Sequence, residues 1–461
     1  MDQQIAAILL AAGDGKRMNS SHQKVCCELL GKPMLRWVLD ACCKAGMKPE
    51  DTCVVLSSEP RGVCELLPDG CATAVQAERR GTGHAVRCAL PFLQQAAARG
   101  IDAVAVLCGD APLIDEAVLL DSLAFHRKGG FAVTALTANI SDPGRYGRIV
   151  RENGRFVRIV EAADASEKEL AIHEINAGAY WFSIGYLIDA LPLLQDTNAQ
   201  GEYYLTDLVG LASAQGKTAG AFCCPDDRVA LGANSRRELA ALNRIARDRI
   251  LDRLYDQGVD IPLSDGVMIG PDVTVGRDTQ ILPGCQILGN TVIGEGCIIG
   301  PNTRIIDCTI GDNCTIDSSR LAESHVGSGA RIGPFAQLRP GCKIADTVKI
   351  GNFVEVKNST VGEKTSFAHL TYIGDSDFGE RINVGCGVVT VNYDGLHKHR
   401  TTVGDHAFIG CNVNLIAPVT VGEGAYVAAA TTVTEDVRPD ALAIGRIRQR
   451  QLAGWARGKT K

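Results

Sequence analysis

Two patterns of apolar positions divide the chain, and they belong to different kinds of fold. Up to about Cys224, short apolar runs alternate with amphipathic stretches. Ile5–Leu10, Cys53–Ser57, Ala103–Cys108 and Ala132–Thr137 read as strands, and Lys32–Ala45, Thr82–Ala98 and Ile114–Lys128 carry helical periodicity between them. Apolar runs without polar alternation are strands buried on both faces. This part of the chain therefore predicts an α/β domain with a mostly parallel, Rossmann-like sheet covered on both sides. Asn234–Gln257 is charged, with Leu239, Leu242, Ile245, Ile250 and Leu254 at helical spacing. It predicts a long connecting helix closed by Gly258 and Pro262.

Beyond that helix the period becomes six. Ile269, Val275, Ile281, Ile287, Ile293, Ile299 and Ile305 stand six apart without a break. After a slip in phase the spacing resumes in Val326, Ile332, Leu338, Ile344, Ile350 and Val356. It returns in Val403, Ile409, Leu415, Val421, Val427 and Val433. Glycine often follows the aliphatic residue, as at Gly270, Gly294, Gly351 and Gly410. Six is the period of neither a helix nor a two-sided strand. It fits a coil of short strands whose turns stack an aliphatic ladder and whose corners need small residues. The hexapeptide pattern resembles the left-handed parallel β-helix; handedness and a homotrimeric assembly are what that resemblance implies. The expected boundaries are 1–232 for the α/β domain, 233–257 for the connecting helix, 258–446 for the coil and 447–461 for a basic tail.

Composition narrows the picture. A length of 461 residues exceeds one ordinary core, and 46% hydrophobic against 22% charged residues is globular. The net charge of −6 excludes nucleic acid as the main partner, because neutralising phosphates needs a basic face. Only the tail is basic, from Arg446, Arg448 and Arg450 to Arg457, Lys459 and Lys461, and it reads as a solvated terminus. The eighteen cysteines contain no C-x-x-C pair and mostly sit in apolar runs, which points to free thiols in a reducing, cytoplasmic compartment. The apolar run Ile5–Ala12 is too short to span a membrane and lacks a basic flank, so no membrane span or signal peptide is expected.

Candidate chemistry begins directly after the first strand, in Leu10-Ala11-Ala12-Gly13-Asp14-Gly15-Lys16-Arg17-Met18, with Lys24 beyond. Glycines let the backbone approach phosphates, and Arg17 and Lys24 bring cationic charge. A dinucleotide loop would need glycine at Met18, and a Walker loop would need a G-K-[ST] ending. L-x-x-G-x-G-x-R-M followed by lysine instead resembles the sugar-1-phosphate nucleotidyltransferases, with Lys16 where threonine is usual. Further segments match in order. Gln76 with Gly81-Thr82 would read uracil. Asp110, in Leu107-Cys108-Gly109-Asp110, would hold Mg²⁺ together with Asn234. Gly147, Glu161 and Asn176 would contact the sugar. Leu10, Ala11, Gly13, Arg17, Lys24 and Asn234 complete the expected UTP and UDP-sugar site.

The coil breaks its hexads where polar residues gather: Arg339, Glu355-Val356-Lys357, His369-Leu370-Thr371-Tyr372, Asn383 and the insertion Asn392–Lys398. A loop thrown out of a β-helix is where function is expected. His325, His397, His399 and His406 read as surface or corner residues. With both halves in view, the chain resembles the bifunctional N-acetylglucosamine-1-phosphate uridylyltransferase and glucosamine-1-phosphate N-acetyltransferase family. G-N-F-V-E-V-K, A-H-L-T-Y-I-G-D and V-N-Y-D-G are its most specific strings in the coil.

By that resemblance His369 is the general base that deprotonates the sugar amine. Arg339, Lys357 and Lys398 bind the sugar phosphate, and Glu355, Tyr372 and Asn383 hold the ring. Asn392 and Tyr393 lie at the acyl group. Acetyl-CoA runs along the coil past Cys386, Cys411, Ala429 and Arg446, with Cys386 in place of the usual alanine and Cys411 in place of the usual serine. The product would be UDP-N-acetylglucosamine, which a bacterium uses for envelope synthesis. Two alternatives stand beside this: a nucleotidyltransferase whose coil is only a scaffold, and a non-catalytic assembly protein. The base and the insertion oppose the first; Asp110, Asn234, Arg17 and Lys24 oppose the second.

Overall fold

Ile5–Leu10 is buried from its first residue, and in the computed structural model, which describes residues 4–13, 15–20 and 22–459, it is a central strand. It pairs in parallel with Thr52–Ser57 on one side and Ala103–Cys108 on the other. Successive side chains enter two separate cores. Ala6 and Ile8 pack with Val104, Val106 and Phe182, whereas Ile5, Ala7 and Leu9 pack with Ala105, Leu107 and Trp181. A strand that fills a core on each face has no room for polar alternation, which is why these runs read as uninterrupted apolar stretches.

The expected parallel sheet carries one reversal. Glu174–Ser183 inserts antiparallel between Ala103–Cys108 and Val133–Asn139. The hairpin of Arg148–Glu152 and Arg155–Val160 joins the same sheet. The single helix expected over Thr82–Ala98 is two, Thr82–Cys88 and Leu90–Ala98. The break falls at Ala89, just before Pro91, whose ring cannot follow a continuous helical ladder. Arg236–Asp256 forms one long helix. The chain divides into two compact units within it, Met1–Ala246 and Arg247–Lys461.

In the second unit short strands stack into three parallel sheets of ten, nine and ten strands, successive strands along the chain passing from one sheet to the next. Ile287 lies over Ile305 and under Ile269, and the other ladder residues repeat this register. Each is buried, and burying one such side chain contributes about 1.5–3 kcal/mol. The slip in phase has a simple cause: Ile310, Ile316 and Leu321 keep the ladder filled, but some corners are one residue shorter. Thr390 occupies a ladder position, paired with Leu415, and its hydroxyl accepts from Gly374 N at 2.8 Å. Between Val356 and Val403 the ladder runs on through Val361, Phe367, Ile373, Phe378 and Val384 to this polar rung, and steps shortened at Val361 and Phe378 take these two coils out of the six-residue spacing. Residues 447–459 are exposed throughout, and Lys461 lies outside the described residues. Among the described residues no helix is long and apolar enough to cross a membrane.

Candidate active sites

The loop after the first strand leaves the sheet where Gly109 N donates to Leu10 O at 3.0 Å and Ala11 N to Val55 O at 2.9 Å. Gly13 is exposed on this loop. Gly15 has φ +57°, and a Cβ there would meet the Lys24 side chain at 2.6 Å, so only glycine lets Lys24 cross the loop. Lys24 Nζ forms an ion pair with Asp110 Oδ2 and donates to Asn234 Oδ1 at 2.9 Å. Two hard oxygen donors from distant parts of the sequence thus converge on one positive charge. The side chain of Lys16 lies outside the described residues.

A cavity of about 540 Å³ opens beside this cluster, lined by Arg17, Asp110, Gly147, Glu161, Asn176 and Asn234 among others. Asn176 Nδ2 donates to the Tyr180 hydroxyl at 2.6 Å and its Oδ1 accepts from Gly178 N at 3.1 Å, which fixes the amide. Burial raises the Glu161 carboxyl above its ordinary range despite the hydroxyl of Thr206 at 3.2 Å. Arg145, Tyr146 and Glu238 also line this cavity, and no motif in the chain marks them as ligands.

Gln76, Gly81 and Thr82 form a second group, at the end of strand Ala72–Gln76 and the start of helix Thr82–Cys88. Gln76 Nε2 donates to Gly81 O at 3.0 Å and faces His84 Nδ1 at 3.1 Å. Gly81 has φ +99°, and a Cβ there would strike Tyr203 O at 2.6 Å. Thr82 Oγ1 accepts from Leu205 N at 3.1 Å, so this turn is clamped to the 202–205 loop.

On the coil, one sheet gathers Glu355, Lys357 and Tyr372, with Arg339 at the edge of the preceding coil. Arg339 Nη1 donates to Glu355 Oε1 at 3.0 Å. Beneath them Asp375, which the sequence reading left without a role, organises the floor. Its carboxylate accepts from Asn358 Nδ2 at 2.6 Å and Asn392 Nδ2 at 2.5 Å and lies 3.7 Å from Lys357 Nζ. Burial alone would raise this carboxyl; the two amides, with Lys357 and Lys398, outweigh it and hold it below the usual range. Lys357 presses in turn on Lys398, lowering its ammonium from the ordinary value. Two like charges held this close form a site that wants an anion.

The insertion is tied to itself. Asp394 accepts from the backbone of His397 and Leu396 at 2.6 and 2.7 Å, and His399 Nε2 lies 2.8 Å from its other oxygen. These bonds, the His397 amide first, hold the Asp394 carboxyl well below the carboxylate range. His399 therefore pins the loop that presents Tyr393, which is exposed, and Lys398. His369 ends strand Ser366–His369, with Nδ1 2.8 Å from Asn352 Oδ1 on the preceding coil. Asn352 escaped the sequence reading, although it lies in the quoted G-N-F-V-E-V-K string.

From His369 one column runs along the coil. The register places Cys386 on the next coil, Cys411 on the one after and Ala429 on the third. Arg446 Nη1 donates to Ala429 O at 2.9 Å, closing the column. Asn383 stands apart, exposed on the outer face of the His369 sheet and not on the sheet that holds Tyr372.

A nucleotide-sized cavity at the strand ends of an α/β sheet and a coil with a polar corner define a two-domain transferase. Residues 7–174 match the model of the MobA-like NTP transferase domain, and residues 252–356 match that of the EIF2B subunit epsilon LbH domain. Bifunctional protein GlmU of Thermoanaerobacter pseudethanolicus is 45% identical over 458 residues, covering 99% of this chain and 98% of that one. The GlmU of Geobacillus thermodenitrificans is 47% identical over 459 residues, covering 99% of each, and that of Pelobacter propionicus 45% over 463, covering 98% of each. The chain belongs to the bifunctional GlmU family, and it is a uridylyltransferase and a glucosamine-1-phosphate N-acetyltransferase in one polypeptide.

Proposed function

We propose that each half-reaction runs on the residues gathered above. In the coil the amine of glucosamine 1-phosphate attacks the carbonyl of acetyl-CoA. A C–N bond forms, the C–S bond breaks, and coenzyme A leaves as its thiolate. With Asn352 Oδ1 accepting at Nδ1, His369 keeps its proton there and offers Nε2 to the amine proton. Arg339, Lys357 and Lys398 take the phosphate, Glu355, Tyr372 and Asn383 the ring, Asn392 and Tyr393 the acyl group. Cys386, Cys411, Ala429 and Arg446 line the coenzyme path.

In the first unit the oxygen of N-acetylglucosamine 1-phosphate attacks the α-phosphorus of UTP in line, and pyrophosphate leaves. Leu10, Ala11, Gly13, Gln76, Gly81 and Thr82 hold the nucleotide, and Gly147, Glu161 and Asn176 the sugar. Arg17 and Lys24 neutralise the phosphates, so positioning and charge supply the catalysis without a covalent nucleophile. Asp110 and Asn234 fit Mg²⁺. Their oxygens already share one cation, Lys24, and a carboxylate with an amide oxygen is a donor set this metal accepts beside phosphate oxygens. Bound there, Mg²⁺ would supply charge neutralisation. We place the enzyme in the cytoplasm, where its substrates and a reducing environment coincide.

The observation that carries the acyl-transfer half is His369 held by Asn352, on the coil that also brings Lys357 and Lys398 together. A scaffold needs none of these. The test supplies glucosamine 1-phosphate, acetyl-CoA, UTP and Mg²⁺ and follows coenzyme A and pyrophosphate separately. His369→Ala should lower coenzyme A release by about 10²–10⁴-fold and leave pyrophosphate release from N-acetylglucosamine 1-phosphate intact. Wild-type protein that released pyrophosphate but never coenzyme A would make the coil a scaffold.

A further inference from the structure

We infer that Asp375 is a positioning residue for acyl transfer: one buried carboxylate holds Asn392, at the acyl group, and Lys357, at the sugar phosphate, and so sets donor against acceptor. The inference rests on the acyl-transfer reading of this coil.

Asp375 fills the corner between strands Tyr372–Gly374 and Ser376–Phe378. Lys357 ends the strand below and pairs with Gly374, and Asp375 N donates to Lys357 O at 3.0 Å. Asn358 follows Lys357 as Asp375 follows Gly374, and the pairing of Tyr372 with Val389 puts Asn392 at the same corner of the next coil. The three side chains make a ladder of amide, carboxylate and amide. Asn358 Nδ2 donates to Oδ1 at 2.6 Å and Asn392 Nδ2 to Oδ2 at 2.5 Å. Oδ2 is also the oxygen that lies 3.7 Å from Lys357 Nζ. One atom is thus shared by the two subsites.

Asp375 and Asn392 are both buried, so each depends on the other rather than on water. Gly374 keeps the space between them clear: a Cβ there would run into the Tyr372 hydroxyl and lie 2.9 Å from Asn392 Nδ2.

A ladder that only joined coils would not need a charge, because stacked amides bond to one another. The carboxylate does two further things. By accepting at Oδ2 it commits the nitrogen of Asn392 and turns that amide's oxygen away from the floor. It also sets a negative charge beside Lys357, which restrains the ammonium against the pull of the substrate's phosphate. Asp375 therefore trades some binding of the phosphate for orientation, and orientation is what raises kcat.

The test is Asp375→Asn in the full chain, with coenzyme A and pyrophosphate release followed separately. Asparagine keeps the size of Asp375 and tolerates its φ of 48°. It can accept at one oxygen only, and it leaves Lys357 without its counter-charge. The expected result is a kcat for acetyl transfer at least tenfold lower, with KM for glucosamine 1-phosphate at least twofold lower and pyrophosphate release unchanged. A fold defect lowers the active fraction and does not tighten KM. On an Asn392→Ala background Asp375→Asn should cost less than threefold, because the group it positions is gone. Asn358→Gly removes the ladder's other amide and should leave both constants within twofold. Gly374→Ala is the second variant: its methyl displaces the Asn392 amide and keeps the charge, so kcat should fall and KM should not.

A raised KM in Asp375→Asn, full additivity with Asn392→Ala, an equal loss in Asn358→Gly or a wild-type kcat in Gly374→Ala overturns the inference. If the wild-type enzyme releases no coenzyme A, the acyl-transfer reading falls and takes the positioning role with it. If it does and Asp375→Asn keeps its kcat, only the positioning role falls.

Discussion

His369 is exposed and has one ring nitrogen committed, and that commitment defines what it can do. A ring free at both nitrogens would sample two tautomers and many orientations; Asn352 selects one of each. Replacing Asn352 with alanine should therefore lower kcat for acetyl transfer about five- to tenfold, the worth of one hydrogen bond near 1 kcal/mol. KM for glucosamine 1-phosphate should change little, because Asn352 lies outside the phosphate cluster. Initial rates across glucosamine 1-phosphate concentration check this, and an effect on KM alone would assign Asn352 to substrate binding. Asn352 was not legible because an asparagine beside a coil corner reads as an ordinary turn residue, and only the register shows it paired with His369. Asp375 was hidden likewise: nothing in the string Y-I-G-D tells that its carboxylate is buried beneath three polar partners. His369, Lys357, Lys398 and Tyr372 were legible because unusual side chains interrupt a monotonous repeat.

At the scale of elements, helix Glu116–Gly129 carries a histidine into the first unit's core. His126 is buried with Nδ1 2.8 Å from Thr134 Oγ1, and burial holds its pKa down at about 4 from its ordinary 6.5. Asp102 opposes that shift and Arg127 adds to it. The folded form keeps the ring neutral while the unfolded chain takes up a proton below 6.5, so stability is full above that pH and lost as pH falls toward 4. The unit should lose about 2 kcal/mol between about pH 7 and pH 5 from this group alone. Trp181, buried and bonded to Ser122 on the same helix, reports the unfolding in urea. His126→Asn should flatten the pH dependence by that amount, and an unchanged slope would exonerate the histidine. The elements themselves were legible where one period ran long enough. The antiparallel strand Glu174–Ser183 was not, since a buried strand shows the same apolar run whichever way its neighbours point.

For the whole molecule, the two halves were legible because a period of six cannot be mistaken for strand–helix alternation. Assembly leaves no comparable trace along the chain. Asn383 faces outward on a different sheet from Tyr372, so one coil does not present every expected sugar ligand on one face. We propose that three copies associate and that a neighbour completes the acyl-transfer site. Sedimentation equilibrium should find a species of three times 48.9 kDa, and a monomer active in acetyl transfer would overturn that proposal.

The column from His369 through Cys386 and Cys411 to Ala429 is also a ruler. Its graduations are single coils, each about 4.8 Å tall, and a coil cannot be divided without losing its ladder. The span between the base and the Arg446 end can therefore be lengthened or shortened only by whole turns. A long, thin donor must fit a whole number of steps, and tuning its reach is left to the side chains on the rungs.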